Sequence, residues 1–251
     1  VPIPTDESGL VIEALEEALK IHHPKFLYII PAFQNPGGHT LTQERRLRLL
    51  SLSREHGFIL LADEVYQQLH YAVEPPKSFG SYREAEHVIS LGSFSKILAP
   101  GLRLGWLRAS PAMIQGLTEC GLLTSGGGMN PFTSAIVRSL VESGALQDNI
   151  ARLRRVYSAR VHAMEASLRR HLPDAEFVTP QGGYFFWVRL PGRDLELLRE
   201  AARAHQVDYR PGILFSCQNG LRDYIRLSIS FYDPGEIDEG VQRLQRAVSP
   251  P

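Results

Sequence analysis

At 251 residues with 43% hydrophobic side chains, the chain is long enough to bury one large core, or a large and a small one together. Its 27 lysines and arginines balance 27 aspartates and glutamates, so no net field is available to hold a nucleic acid backbone or an anionic membrane surface, and a small partner is expected. Cys120 and Cys217, the two cysteines, stand far apart and form no C-x-x-C pair, which fits a reducing compartment, cytosol or organelle matrix, and argues against a disulfide framework or a thiolate zinc site.

No apolar run approaches the roughly 20 residues that span a bilayer, and the start, Val1-Pro2-Ile3-Pro4, shows neither a basic leader nor a signal-peptide core, nor an initiator methionine. The histidines have no H-x-x-x-H or H-E-x-x-H spacing, so no metal site is expected and His22-His23 reads as a polar loop.

Leu10 to Lys20 sets Val11, Ala14, Leu15, Ala18 and Leu19 on one face at helical spacing, predicting an amphipathic helix. Phe26 to Ile30, stopped by Pro31, reads as a strand buried on both faces. A second helix is expected from Thr40, with Thr40 and Gln43 as a capping box and a core stripe of Leu47, Leu50 and Leu52, ending at Gly57. Strands are expected at Phe58–Ala62, His87–Leu91 and Leu104–Leu107, so helices alternate with apolar strands as in a mostly parallel, helix-covered α/β sheet. After Pro131 the pattern changes to a long helix near Asn149–His171, then Phe177-Val178, a Gly-Gly break, the alternating Tyr184–Val188, a helix and the strand Tyr224–Ile229. The reading is a large α/β domain over 1–148 and a smaller α+β domain over 149–251, with Gly126-Gly127-Gly128 a connection between helices and Pro250-Pro251 a frayed end.

Open parallel sheets bind ligands at the carboxyl ends of their strands. There the sequence offers Gln34-Asn35-Pro36-Gly37-Gly38, then Asp63-Glu64-Val65-Tyr66, then Ser93-Phe94-Ser95-Lys96. A lysine amine, a carboxylate for a protonated ring nitrogen, hydroxyls for a phosphate and the forked cation of Arg103 together suit pyridoxal phosphate. Asn35 and Tyr66 can donate to the ring phenolate oxygen. Singly each is an ordinary cap or tight turn; their order and their place after successive strands make the set specific.

Asn35-Pro36-x-Gly38, Asp63-x-x-Tyr66 and Ser93-x-Ser95-Lys96-x-x-Ala99-Pro100-Gly101-Leu102-Arg103-x-Gly105 resemble a fold type I, pyridoxal-phosphate-dependent aminotransferase of class I/II. The wording Phe33-Gln34-Asn35-Pro36 and Leu98-Ala99-Pro100-Gly101-Leu102-Arg103 is most similar to the 2-aminoadipate-like, multi-substrate branch and to the aminotransferase-like domains of MocR-type regulators. The resemblance implies that Lys96 is the Schiff-base lysine, Asp63 the partner of the pyridine nitrogen, Asn35 and Tyr66 the groups at the ring hydroxyl, and Ser93, Ser95 and Arg103 the phosphate grip. Gln181–Trp187 and Arg210-Pro211-Gly212 resemble family segments, and Arg226 matches the arginine that binds the substrate α-carboxylate, with Asn35 implied as a second substrate-binding residue. Strand alternation sends Tyr224, Arg226, Ser228 and Ser230 to one face and Ile225, Leu227 and Ile229 to the other. Tyr184 and Phe186 read as core aromatics.

Members of this family carry an N-terminal arm, a glycine-rich turn and a stacking aromatic before the point where this sequence begins, so the resemblance implies a piece of a longer protein. Its implied reaction moves an amino group between an amino acid and a 2-oxo acid, in a soluble homodimer, with no nucleic acid or membrane partner in this segment. The competing expectations are an effector-sensing domain of a MocR-like regulator, a β-lyase or decarboxylase on the same scaffold, and an inactive truncated product.

Overall fold

The computed structural model describes residues 1–83, 85–126 and 130–248; Gly127 and Gly128 of the expected connection, and the Pro250-Pro251 end, lie outside the described residues. A short hairpin, β1 (Thr5–Asp6) and β2 (Gly9–Leu10), leads into α1 (Ile12–Ile21), whose buried stripe is Ile12, Leu15 and Leu19 at helical spacing. Next come β3 (Phe26–Ile29), α2 (Gln43–His56), β4 (Ile59–Asp63), β5 (Val88–Ser93) and β6 (Gly105–Arg108). These strands form one sheet in the order β3-β4-β5-β6, with the first two pairings parallel and β6 antiparallel to β5.

One face of that sheet carries the core shared with α1 and α2. Ile29, Leu60, Ala62 and Val88 share a core with Leu15 and Leu19 of α1 and Leu49, Leu50 and Leu52 of α2. On the opposite face Phe26 is 61% and Tyr28 50% exposed. The expectation that this strand is buried on both faces is therefore corrected: β3 lies at the sheet edge and alternates with period two.

Two further corrections concern α2. Thr42, not Thr40, is its N-cap, its Oγ1 accepting the Arg45 N–H at 3.4 Å, while Gly57 ends the helix in the left-handed region at φ 70° as expected. Leu47 is exposed, and the buried positions are Arg46, Leu49, Leu50, Leu52 and Ser53. The 3.6-residue period puts 46, 49, 50 and 53 on one face whatever their polarity, and the aliphatic stem of an arginine can occupy a core position if its head is hydrogen-bonded.

The helices α3 (Pro111–Thr118), α4 (Gly121–Gly126), α5 (Pro131–Glu142) and α6 (Ala145–His171) follow. The chain divides into two compact units and crosses between them inside α6: one holds Ile3–Ala32 and His39–Leu153, the other Phe33–Gly38 and the chain from Arg154 onward. The boundary read from sequence, after 148, falls within that helix, and the short segment 33–38 belongs with the second unit rather than the first.

The second unit adds β7 (Glu176–Phe177), β8 (Phe185–Arg189), α7 (Arg199–Ala204), β9 (Arg210–Pro211), β10 (Tyr224–Ser228) and α8 (Pro234–Val248). Its sheet runs β7-β8-β10-β9 and is antiparallel throughout. Phe186, Val188, Ile225 and Ile229 are fully buried, as are Leu168 of α6 and Val241 and Leu244 of α8 to within a few per cent. Phe186 is thus a core residue, while Tyr184 is half-buried and meets Tyr157 edge-on at 5.3 Å. Among the described residues no helix is long and apolar enough to cross a membrane, and no group of three or more His, Cys, Asp or Glu is placed to hold a metal ion.

Candidate functional site

In the first unit the parallel pairing fixes which residues emerge together. Asp63, the last residue of β4, pairs with Leu91, and β5 runs on to Ser93. β6 runs the other way, with Gly105 opposite Ser93, so Arg103 just before it returns to the same edge. Asp63, Tyr66, Ser93, Ser95, Lys96 and Arg103 therefore all follow or precede strand ends at the carboxyl edge of the parallel strands.

The turn after β5 is held by its backbone. Leu98 and Ala99 both donate to the Phe94 carbonyl, at 2.8 and 3.1 Å, and Ser93 Oγ accepts the Ser95 N–H at 3.1 Å, leaving its own hydrogen to donate. Ile97, 2% exposed, pins the turn to the core, and its carbonyl accepts from Asn149 Nδ2 at 2.8 Å. Lys96 sits half-buried within this turn. Across the sheet the Trp106 indole lies so close over Gly92 that a Cβ there would stand 2.1 Å from the ring, so any other residue would force the indole aside. Arg103 takes the left-handed conformation, φ 50°, and donates to the Pro100 carbonyl at 3.2 Å.

Asp63 has two oxygens in different circumstances. Oδ2 accepts the Tyr28 hydroxyl at 2.7 Å, whereas Oδ1 is buried with no hydrogen-bond partner among the described residues. A buried carboxylate oxygen without a donor costs about 1–3 kcal/mol, so the position suits a ligand N–H. Burial, and then the Asp63 charge, push the Tyr28 phenol above its ordinary range and keep it a donor. Tyr66, 4% exposed, follows in the turn, with its carbonyl accepting the Leu69 N–H at 2.8 Å. Glu64 turns the other way, where its Oε1 accepts the Phe79 N–H at 2.9 Å and its Oε2 accepts the Ser90 hydroxyl.

In the second unit Arg226 of β10 donates to Asn35 Oδ1 at 2.7 Å. Its guanidinium lies 4.0 Å from the Phe185 ring centroid and 5.0 Å from that of Phe215, flanked by two aromatic faces. Gly183, φ 74°, packs directly on Phe33, where a Cβ would come within 2.8 Å. These two contacts explain why 33–38 travels with the second unit. The structure thus brings the six edge residues together in one unit and Asn35 with Arg226 in the other. Tyr28 and Phe215 are not singled out from sequence; strand parity points to the first, because Tyr28 pairs with Leu61 and so shares a face with Asp63 two residues on.

An amine, a buried carboxylate oxygen awaiting a donor, two hydroxyls and an arginine at one edge fit the donors and acceptors of pyridoxal phosphate. A family model described as "Aminotransferase class I and II" matches residues 1–244. The aromatic-amino-acid aminotransferase 1 of Thermococcus litoralis is 37% identical over 255 residues, covering 99% of this chain and 61% of that protein. The kynurenine aminotransferase of Pyrococcus horikoshii, solved in complex with PMP, superposes with a TM-score of 0.91 at 35% identity, over 98% of this chain and 63% of that one. The α-aminoadipate aminotransferase of Thermus thermophilus, complexed with N-(5'-phosphopyridoxyl)-L-leucine, gives 0.90 at 36% identity over 98% and 64%. The chain spans less than two thirds of the length of each of these proteins.

Proposed function

Because the chain belongs to the class I and II aminotransferase family, we propose that it is the pyridoxal-phosphate-binding part of an enzyme that moves an amino group between an amino acid and a 2-oxo acid. The observation that carries this is the Oδ1 of Asp63, buried and without a partner among the described residues, at the same sheet edge as Lys96. Bound there, pyridoxal phosphate supplies an aldehyde that captures amines and a protonated ring that accepts electrons from the substrate's Cα.

The residues divide the remaining work. Asp63 Oδ1 accepts the ring N–H and keeps that nitrogen protonated. Ser93, Ser95 and Arg103 hold the phosphate dianion with hydroxyls and a planar cation. Tyr66 donates to the ring hydroxyl oxygen, and Asn35 is assigned the same task beside its bond to Arg226. Lys96 Nζ ties the cofactor to the chain and then, as general base and acid, carries the proton taken from the substrate's Cα. Arg226 receives the substrate α-carboxylate, its aromatic flanks limiting the directions open to its remaining N–H groups.

In the same reading the enzyme is a homodimer in a reducing compartment, cytosolic or within an organelle matrix, where the exposed free thiols of Cys120 and Cys217 persist. The test is a half-reaction: cofactor-loaded protein mixed with a panel of amino acids should release one equivalent of 2-oxo acid, and a second 2-oxo acid should then recover a new amino acid. Cofactor binding with no transfer to or from any member of the panel would place the chain with effector-sensing domains instead. Replacing Arg226 with alanine should raise the amino acid KM about tenfold or more and change kcat less; an unaltered KM removes Arg226 from the substrate site.

A further inference from the structure

The two oxygens of Asp63 are made unequal by a residue from a neighbouring strand. Tyr28 stands on β3 opposite Leu61, on the face that Asp63 shares, and its hydroxyl donates to Oδ2 at 2.7 Å while Oδ1 stays buried and unpartnered among the described residues. A carboxylate rotates readily about its last torsion, so without a fixed donor either oxygen could turn toward a ligand or toward solvent. A charge-assisted hydrogen bond at this length locks the rotation.

The direction of that bond is set. Burial and the Asp63 charge both favour the neutral phenol, so at neutral pH Tyr28 donates and Asp63 accepts. With the Tyr28 hydroxyl on Oδ2, Oδ1 is the oxygen whose lone pairs are left, among the described residues, for the ring N–H. Because Tyr28 is half exposed, phenylalanine in its place removes the hydroxyl without opening a core cavity.

We propose that Tyr28 is a positioning residue for Asp63, holding Oδ2 so that Oδ1 alone is presented to the pyridine nitrogen of the cofactor. This rests on the reading of Asp63 as the ring-nitrogen partner. The experiment is a double-mutant cycle read as the Kd for pyridoxal phosphate, by absorbance titration of the full chain, with the Tm of each cofactor-free protein alongside. Tyr28→Phe should weaken binding about tenfold, Asp63→Asn by at least as much, and Tyr28→Phe added to Asp63→Asn by less than about twofold, with little change in Tm.

Each alternative result overturns something definite. Tyr28→Phe binding like the unmodified chain, while Asp63→Asn binds weakly, ends the positioning role and leaves the cofactor assignment standing. An equal loss from Tyr28→Phe in both backgrounds makes Tyr28 a support of the strand rather than of Asp63. Asp63→Asn without effect, or an unmodified chain that binds no pyridoxal phosphate, removes the underlying assignment and the proposal with it.

Discussion

Lys96→Ala abolishes covalent capture of pyridoxal phosphate: borohydride, which should fix the cofactor on Lys96 of the unmodified chain, is expected to leave no label on the variant. The chain has only four lysines, which makes the outcome sharp. Lys20 is exposed on α1 and paired with Glu17, and Lys25 precedes the amino end of β3, the edge opposite Asp63. Lys77 lies outside the strands, with its carbonyl accepting from Arg46. Lys96 alone follows the carboxyl end of a parallel strand.

The turn that carries Lys96 is held by the Phe94 carbonyl and by buried Ile97, so alanine should leave the fold intact and Tm within a few degrees. Amino-group transfer should fall by about 10³-fold or more, since the amine both binds the cofactor and moves the proton. Peptide mapping by mass spectrometry after reduction decides the matter. Label on Lys77 in the variant, or an unlabelled Lys96 in the parent, would remove Lys96 from its role.

Much of the sheet edge is legible in the sequence, because strand ends are written there as a change from apolar to polar. Asp63 and Ser93 each close an apolar run, and parallel pairing then brings them to one edge without further information. What escapes is whatever depends on contacts distant in the chain. Segment 33–38 follows a strand of the first unit, yet Gly183 and Arg226 hold it in the second; nothing local to Asn35 records that.

Hydropathy also misplaces the buried face of α2, taking Leu47 as core and passing over Arg46. A hydrophobicity stripe counts side-chain polarity, but burial follows helix phase and the availability of partners, and the carbonyls that satisfy Arg46 come from two separate loops, Pro31 and Leu41 from one and Lys77 from the other. The exposed Phe26 and Tyr28 show the same limit for strands, since an apolar run reads alike whether one face of the sheet is packed or two.

Arg46 is also where the largest stability effect is expected. It is fully buried, donating to the carbonyls of Leu41 at 3.1 Å, Lys77 at 3.0 Å and Pro31 at 2.9 Å, with its guanidinium 5.2 Å from the Phe79 ring centroid and 3.8 Å from Glu64 Oε1. Burial draws its basicity down and Glu64 pushes it back up, which leaves an arginine still charged at any physiological pH. Pro31 and Leu41 flank the excursion through 33–38, and Glu64 adjoins Asp63, so this one side chain braces the base of both features.

Arg46→Ala leaves the Glu64 carboxylate without its cation and the Leu41 and Lys77 carbonyls without the guanidinium, while Pro31 keeps the Leu41 N–H, and should cost about 3–5 kcal/mol in urea unfolding, against close to nothing for Arg138→Ala in its exposed pair with Glu142. If that variant does not fold, Arg46→Met with Glu64→Gln removes both charges while keeping volume and the hydrogen bond to Phe79. The double variant should then be more stable than Arg46→Met alone, because a buried charge without its partner costs more than no charge at all. An Arg46→Ala protein within about 1 kcal/mol of the parent, or a double variant no better than the single one, would mean that the loops around Pro31, Leu41 and Lys77 are held by packing and that the ion pair contributes little.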